Sequence, residues 1–575
     1  MLKSLALLAL SSFGICLAKI YENVADLPGL QYDFVIIGGG TAGLVVANRL
    51  TENLKFSVLV LEAGVSNEGV ISSTIPFLIN NLLLPNIYEW NYTTTPQPGL
   101  NGRVLNYLRA HMLGGTDLMF YTRGARDDFD RYAKLTGDAG WSWDRIFPYF
   151  LKGQYNPAVH STHGMNPVSL SGFAWPAGNL VTEATKELHD EFPFNLDMNS
   201  GNPLGVGWLQ LTVGGGKRST SATSYLEPIA QRKNLHVLLH AQVTRLVNPS
   251  RVSGKLTFGG VEFVQPGSSP FIAKATKEII LSAGTVGTPH ILMHSGVGDA
   301  TALRALGIPV VLDNPSVGQN VSDHVSVALS WSVNSNKTIE SISQNVTAFN
   351  EAFAQYNKTY TGPFVEVGST NVGWLRLDPQ SEIFEEFPDP SAGPTAPHIE
   401  LIFSAGFTLR SAATPHGHFM NIGAVMVTPL SRGSITLNSS NALVPPLIDP
   451  QFLASNFDLF VVRDGLKRAQ RFVTAPVFKD YILAPTVNIA NLTSDELDQF
   501  IRNSAGTISH LVGSAGMSAR GARYGVVDPD LSVKGTTRLS VIDASVLPIV
   551  PSAHTQAATY VIAERGADLV KARWT

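Results

Sequence analysis

Cysteine is almost missing: the 575 residues contain one, Cys16, in an N-terminal stretch that ends Cys16-Leu17-Ala18. Cleavage after Ala18 leaves none, which excludes disulfides, thiolate metal sites and a cysteine nucleophile from the mature chain. Charge is scarce as well. Asp, Glu, Lys and Arg make up 15% of the residues, 41 basic against 45 acidic, for a net charge of -4, so neither nucleic acid nor an anionic membrane is expected as a partner. No group of His, Cys, Asp and Glu has the spacing of a metal site, and no metal is expected. No apolar run reaches the ~20 residues of a membrane-spanning helix, and the chain carries neither an internal repeat nor a long low-complexity tract.

What is present is core-forming material. Hydrophobic residues make up 44% of a chain long enough for about two to four domain-sized units. Lys3, the apolar stretch Leu5 to Leu10 and the small-x-small ending at Ala18 predict a secretory signal peptide over 1–18, cut to leave a membrane-free extracellular product. Asn-x-Ser/Thr sequons at Asn91, Asn320, Asn336, Asn345, Asn357, Asn438 and Asn491 fit a secreted glycoprotein. The charged segment Glu564 to Lys571 offers no lipid-anchor tail. A monomer is expected.

The strongest local pattern follows the leader. Phe34-Val35-Ile36-Ile37 reads as a strand, Gly38-Gly39-Gly40-Thr41-Ala42-Gly43 as a turn, Leu44 to Leu50 as a helix, and Ser57 to Leu61 as a second strand ending at Glu62. That order predicts an α/β fold opening on a Rossmann-like unit. Gly38 permits the tight turn, Gly40 the approach of a pyrophosphate, and Gly43 the packing of helix on strand, while Thr41 starts a helix whose free N–H groups face the phosphates. Glu62, nineteen residues after Gly43, is placed to accept from ribose hydroxyls. A structural turn is the bland alternative, and the unit suits NAD as well as FAD. Further strand-like runs at Leu235 to Leu239, Glu278 to Leu281 and Leu539 to Asp543 imply a cofactor domain that is discontinuous in sequence.

Most of the 14 histidines carry no argument. Two differ. His554 stands at the start of an apolar-periodic helix, Thr555 to Lys571, just after the strand ending at Asp543, and His510 lies in Ser509-His510-Leu511-Val512-Gly513. Alcohol oxidation needs a base for the hydroxyl proton while hydride leaves the adjacent carbon, and imidazole titrates in the useful range. A helix N-terminus also stabilises a reduced, anionic flavin. Packed structural histidines are the competing explanation.

Taken together, Gly38-x-Gly40-x-x-Gly43 with Glu62, Glu89-Trp90-Asn91-Tyr92-Thr93-Thr94, Gly284-Thr285-Val286-Gly287-Thr288-Pro289 through Gly298, and the two histidine segments resemble the glucose-methanol-choline oxidoreductase family, its fungal aryl-alcohol oxidase branch most closely. The resemblance covers nearly the whole mature chain. It implies FAD as cofactor, His510 as catalytic base and His554 as its hydrogen-bonding partner. It also implies flavin contacts from Leu61, Leu113, Gly114, Gly115, Val243, Ser282, Ala283, Gly284, Asp543, Ala544 and Gln556, and substrate contacts from Tyr92 and Phe407. The expected domains are an FAD-binding unit over 30–150, 216–320 and 500–575, and a substrate unit built on an antiparallel sheet over 151–215 and 321–499.

The chain departs from the family pattern in two places. After Gly115 it continues Thr116-Asp117-Leu118-Met119, about three residues short, which puts Asp117 where an Asn or His near the flavin is usual; a second shortening lies around Lys152 to Tyr155. Ser509 stands where the aryl-alcohol branch often has an aromatic. The expected function is oxidation of a primary alcohol, aromatic and allylic ones included, to the aldehyde by hydride transfer to flavin N5. O2 or a quinone would be the acceptor, and lignocellulose-related peroxide supply or a secondary-metabolite pathway the setting. A catalytically impaired FAD-binding homologue is the alternative. An NAD dehydrogenase is disfavoured by secretion, because no soluble nicotinamide pool is expected outside the cell.

Overall fold

The computed structural model describes residues 20–82, 85–116, 119–155, 161, 163–407 and 415–575. The leader 1–18 and Asp117 lie outside these residues. Two sheets organise the chain, one of eight strands and one of seven.

In the first sheet Ile20–Tyr21, Leu235–Leu238, Val58–Leu61, Gln31–Ile37 and Phe271–Leu281 run parallel in that order. Leu539–Val541 adds alongside Phe271–Leu281, and Lys255–Val264 and Gln242–Val252 extend the sheet antiparallel. Phe34, Val35 and Ile36 are fully buried, as an interior parallel strand covered on both faces requires. Strands from residue 20 to residue 541 share this sheet, so it is assembled from segments far apart in sequence. The helix Thr41–Leu50 is apolar almost all round because the sheet lies on one side and the C-terminal helix Thr555–Trp574 on the other. An ion pair locks the two helices. Arg49 donates through Nε to Glu564 Oε2 (2.8 Å) and through Nη2 to Oε1 (2.7 Å), and Tyr225 adds its hydroxyl to Oε1. The glycine turn and His554, more than 500 residues apart in sequence, are thereby held in one unit.

The second sheet is antiparallel, in the order Ile482–Pro485, Val325–Val333, Phe419–Met426, Ile399–Ser404, Ser369–Leu375 and Gly205–Trp208, with Gly506–Thr507 also on Val325–Val333. Helix Asn456–Phe472 covers one face. Its buried residues Phe457, Val461, Val462, Leu466, Ala469 and Phe472 recur at helical spacing, and Ser455 caps its start by accepting from the Phe457 amide. Two expected boundaries shift. Gly506–Thr507, assigned above to the cofactor unit, pairs with the second sheet, so the crossing falls after residue 507. Tyr92, Leu100 and Tyr107 also pack in the second core, because a two-stranded hairpin cannot bury its own apolar side chains. All seven sequon asparagines are exposed. No helix of the described residues is long and apolar enough to cross a membrane.

Candidate active site

A cavity of about 430 Å³, lined by first-sheet residues such as Ile37, Leu61 and Val243 and by the loop segment Ile508 to Leu511, lies within the size range of cofactor and ligand sites. One part is built by glycines. Gly38 has φ +103°, and a Cβ there would come within 2.4 Å of the Ser282 carbonyl oxygen. Gly38 donates its amide to the Leu61 carbonyl at 2.8 Å, which ties the turn to the adjacent strand. A Cβ on Gly43 would lie 2.0 Å from the Gly38 carbonyl oxygen, so Gly43 serves helix-on-strand packing and does not line the cavity. Around Gly40 the nearest atom to a built Cβ is 3.7 Å away, at Gly115. Its side is open to the cavity, as the approach of a diphosphate requires.

Glu62 Oε2 accepts from the Gly39 amide at 2.6 Å and Oε1 from the Gly64 amide at 2.7 Å. Each oxygen keeps a second lone pair for a ribose hydroxyl. Thr41, Leu61, Gly115, Val243, Ser282, Ala283, Gly284, Asp543, Ala544 and Gln556 line the same cavity. Gly114 donates its amide to the Gly39 carbonyl and Leu113 packs under Gly39, so these two support the turn from behind it. Asp543 accepts from the Gly284 amide and the Thr288 hydroxyl, which fixes the start of helix Gly284–His294. Gln556 donates to Thr212, but its buried Oε1 has no acceptor role filled among the described residues. An open glycine cradle, a ribose-placed carboxylate and an orphaned acceptor in the first turn of the C-terminal helix fit a bound flavin dinucleotide.

The other part carries the histidines. His510 and His554 both line the cavity, their rings 4.6 Å apart and nearly perpendicular at 80°. His554 is the N-cap of the C-terminal helix; its amide donates to Thr122 Oγ1, and its Nε2 lies 2.9 Å from Glu400 Oε1. Phe120 packs on the same ring at 5.0 Å between centroids. His510 is held through its backbone and its ring. Its amide donates to Asp323 Oδ1 (2.8 Å), and its Nδ1 lies 2.9 Å from His324 Nδ1. Asp323 also accepts from the His324 amide and from the Tyr107 and Thr507 hydroxyls. Burial raises the Asp323 carboxyl above its ordinary value, and the Thr507 and Tyr107 hydroxyls with the His510 amide pull against that rise.

Tyr92 lines the cavity and stacks on Trp90 at 5.6 Å. Phe407 does not reach it. The strand Ile399–Ser404 carries the chain away from His554 after Glu400, and Phe407 packs on Phe419 while its amide donates to Glu340. Glu400, Asp323 and His324 went unnoticed in the sequence. Signals existed: Glu400 is a lone charge within Ile399-Glu400-Leu401-Ile402-Phe403, and Asp323-His324 directly precedes the apolar strand at Val325. No group of three or more potential metal ligands occurs among the described residues.

Comparison with known proteins agrees with this geometry. Family models described as GMC oxidoreductase match residues 32–326 and 429–563. A pyranose dehydrogenase of Agaricus campestris is 41% identical over 591 residues, covering 97% of this chain and 96% of its own. The structure of an Aspergillus oryzae formate oxidase variant, solved to study FAD modification, superposes with a TM-score of 0.88 at 28% identity, covering 95% and 99% of the two chains. A fungal aryl-alcohol oxidase does so with a TM-score of 0.82 at 25% identity, covering 95% and 100%. Whole-length similarity places the chain in the GMC oxidoreductase family, with FAD as its cofactor.

Proposed function

We propose that the protein oxidises the CH–OH group of a primary alcohol, aromatic and allylic alcohols included, to the aldehyde. The observation that carries this reading is the pair of imidazoles 4.6 Å apart in the cavity that also holds the dinucleotide cradle. FAD, when bound, supplies the hydride acceptor at N5. The chain supplies the rest: His510 takes the hydroxyl proton, and His554, oriented by Glu400, hydrogen-bonds the substrate oxygen and holds it beside the base. Trp90 and Tyr92 form an aromatic wall suited to a planar substrate. From the reduced cofactor the electrons would pass to O2 or a quinone, the acceptor classes proposed here.

A sugar hydroxyl is a second reading, supported by the pyranose dehydrogenases that are 39–41% identical over nearly the whole chain. Anaerobic mixing of the FAD-loaded protein with benzylic and allylic alcohols and with pyranoses tests both. Bleaching of the flavin's visible band by the alcohols is the expected result, and bleaching by the pyranoses alone selects the second reading. An intact band throughout leaves the impaired homologue. The charge on Glu400 is tested separately: Glu400→Gln should keep FAD yet slow flavin reduction about tenfold or more, read by stopped-flow absorbance, because the neutral amide holds an imidazole less firmly than a carboxylate.

We also propose that the protein works outside the cell as a glycosylated monomer. The leader pattern and the exposure of all seven sequon asparagines support this. In protein recovered from culture medium, a mature N-terminus at Lys19 and a mass drop on enzymatic deglycosylation are expected.

A further inference from the structure

We infer that His324 is a positioning residue for this chemistry: it accepts a hydrogen bond from His510 Nδ1–H, and so fixes His510 in the tautomer whose Nε2 is unprotonated and can take the proton of the substrate hydroxyl. The inference rests on the reading of His510 as base.

Four observations carry it. The two Nδ1 atoms are 2.9 Å apart, a distance that requires one to hold the proton and the other to accept it. The Nε2 of fully buried His324 makes no hydrogen bond of normal geometry among the described residues, but the carbonyls of Val427 and Pro551 face the ring. Carbonyls only accept, so the His324 proton belongs on Nε2 and its Nδ1 is the acceptor. Asp323 then holds both partners in place, taking the amides of His510 and His324 on the same oxygen, Oδ1. Burial, with the neighbouring His554 imidazole, pushes the His324 value down to about 3. His324 therefore stays neutral across the working range and keeps its lone pair available. It touches no part of the cavity itself. It plays for His510 the orienting part that a buried carboxylate plays in a serine hydrolase triad, without adding a negative charge.

The titratable groups around the two histidines are Asp323, which accepts both of their backbone amides, and His554, whose ring packs on His510 and is itself bonded to Glu400. Any change at His324 must be read against these unchanged neighbours. In the FAD-loaded enzyme, His324→Phe keeps a packed ring and removes the acceptor, whereas His324→Asn offers an amide oxygen near the position of Nδ1. His324→Phe should retain FAD but lower the rate of flavin reduction about a hundredfold, within the range of general-base effects, and should move the acid limb of its pH profile. His324→Asn should recover at least about tenfold of that loss. Equal rates in the two variants, or an unmoved pH profile in His324→Phe, would overturn the inference.

A measurement on the unmodified protein guards against variants that fold poorly. Nitrogen-15 histidine shifts should show His510 protonated on Nδ1 and His324 on Nε2, and the reverse pair of tautomers would overturn the inference. Failure of the underlying reading looks different: His510→Ala would then reduce flavin as fast as wild type, whatever His324 does.

Discussion

His510→Ala is expected to slow anaerobic flavin reduction by about a thousandfold while leaving FAD content unchanged, a loss in the middle of the range that general-base catalysis supplies. The separation of the two effects follows from the site. The dinucleotide would be held by the Gly38 turn, Glu62 and the start of the Thr41–Leu50 helix, which are tied to one another and to the adjacent strand by their own hydrogen bonds. Removing the imidazole leaves the His554–Glu400 pair intact, with His554 Nε2 engaged by Glu400 at 2.9 Å and only its other ring nitrogen left to accept a proton. Residual turnover would report substrate positioning together with any proton acceptance by His554. The assay is stopped-flow loss of the flavin band, with the bound FAD released and quantified for each variant.

Gly43→Ala and Gly40→Ala should part company, although both alter the same turn. At Gly43 the added methyl meets the Gly38 carbonyl at 2.0 Å, a backbone atom that cannot rotate away, so the first helix must lift from the sheet. Overpacking of this kind costs about 1–3 kcal/mol, and the apoprotein should melt at a clearly lower temperature as well as bind FAD poorly. Gly40 has extended backbone, φ -86° and ψ -162°, which alanine adopts without strain, and its nearest neighbour is 3.7 Å away. Gly40→Ala should leave the apoprotein's melting temperature nearly unchanged and weaken FAD binding about tenfold or more, a loss of roughly 1.4 kcal/mol. Thermal melts of apoprotein, paired with fluorescence titration by FAD, distinguish folding from binding. Equal destabilisation of the two apoproteins would mean that the cavity at Gly40 is not a diphosphate site.

The cofactor half was legible in the sequence because its signals are local. Strand, glycine turn, helix and carboxylate lie within residues 31–62, and the spacing alone dictates which glycine turns, which opens to the ligand and which packs. The histidine pair was legible in part. His554 was marked by the helix that follows it and His510 by resemblance, yet the partners that orient them, Glu400 within a strand of the second sheet and His324 just before another, are tied to the pair only by contacts across 154 and 186 residues of sequence. Phe407 failed for a related reason: nothing local reveals that the chain beyond strand Ile399–Ser404 packs it on Phe419 and not in the cavity. The domain boundaries erred where a short strand, Gly506–Thr507, and a hairpin at Tyr92 find their cover in the neighbouring unit.

The most direct test of His510-assisted hydride removal is the effect of deuterium at the reacting carbon on flavin reduction, measured anaerobically in the wild-type protein with whichever alcohol or sugar bleaches the flavin. Cleavage of the C–H bond beside the hydroxyl requires a severalfold slower rate with the deuterated substrate. A rate indifferent to the label, or a flavin that no CH–OH substrate reduces, would contradict it.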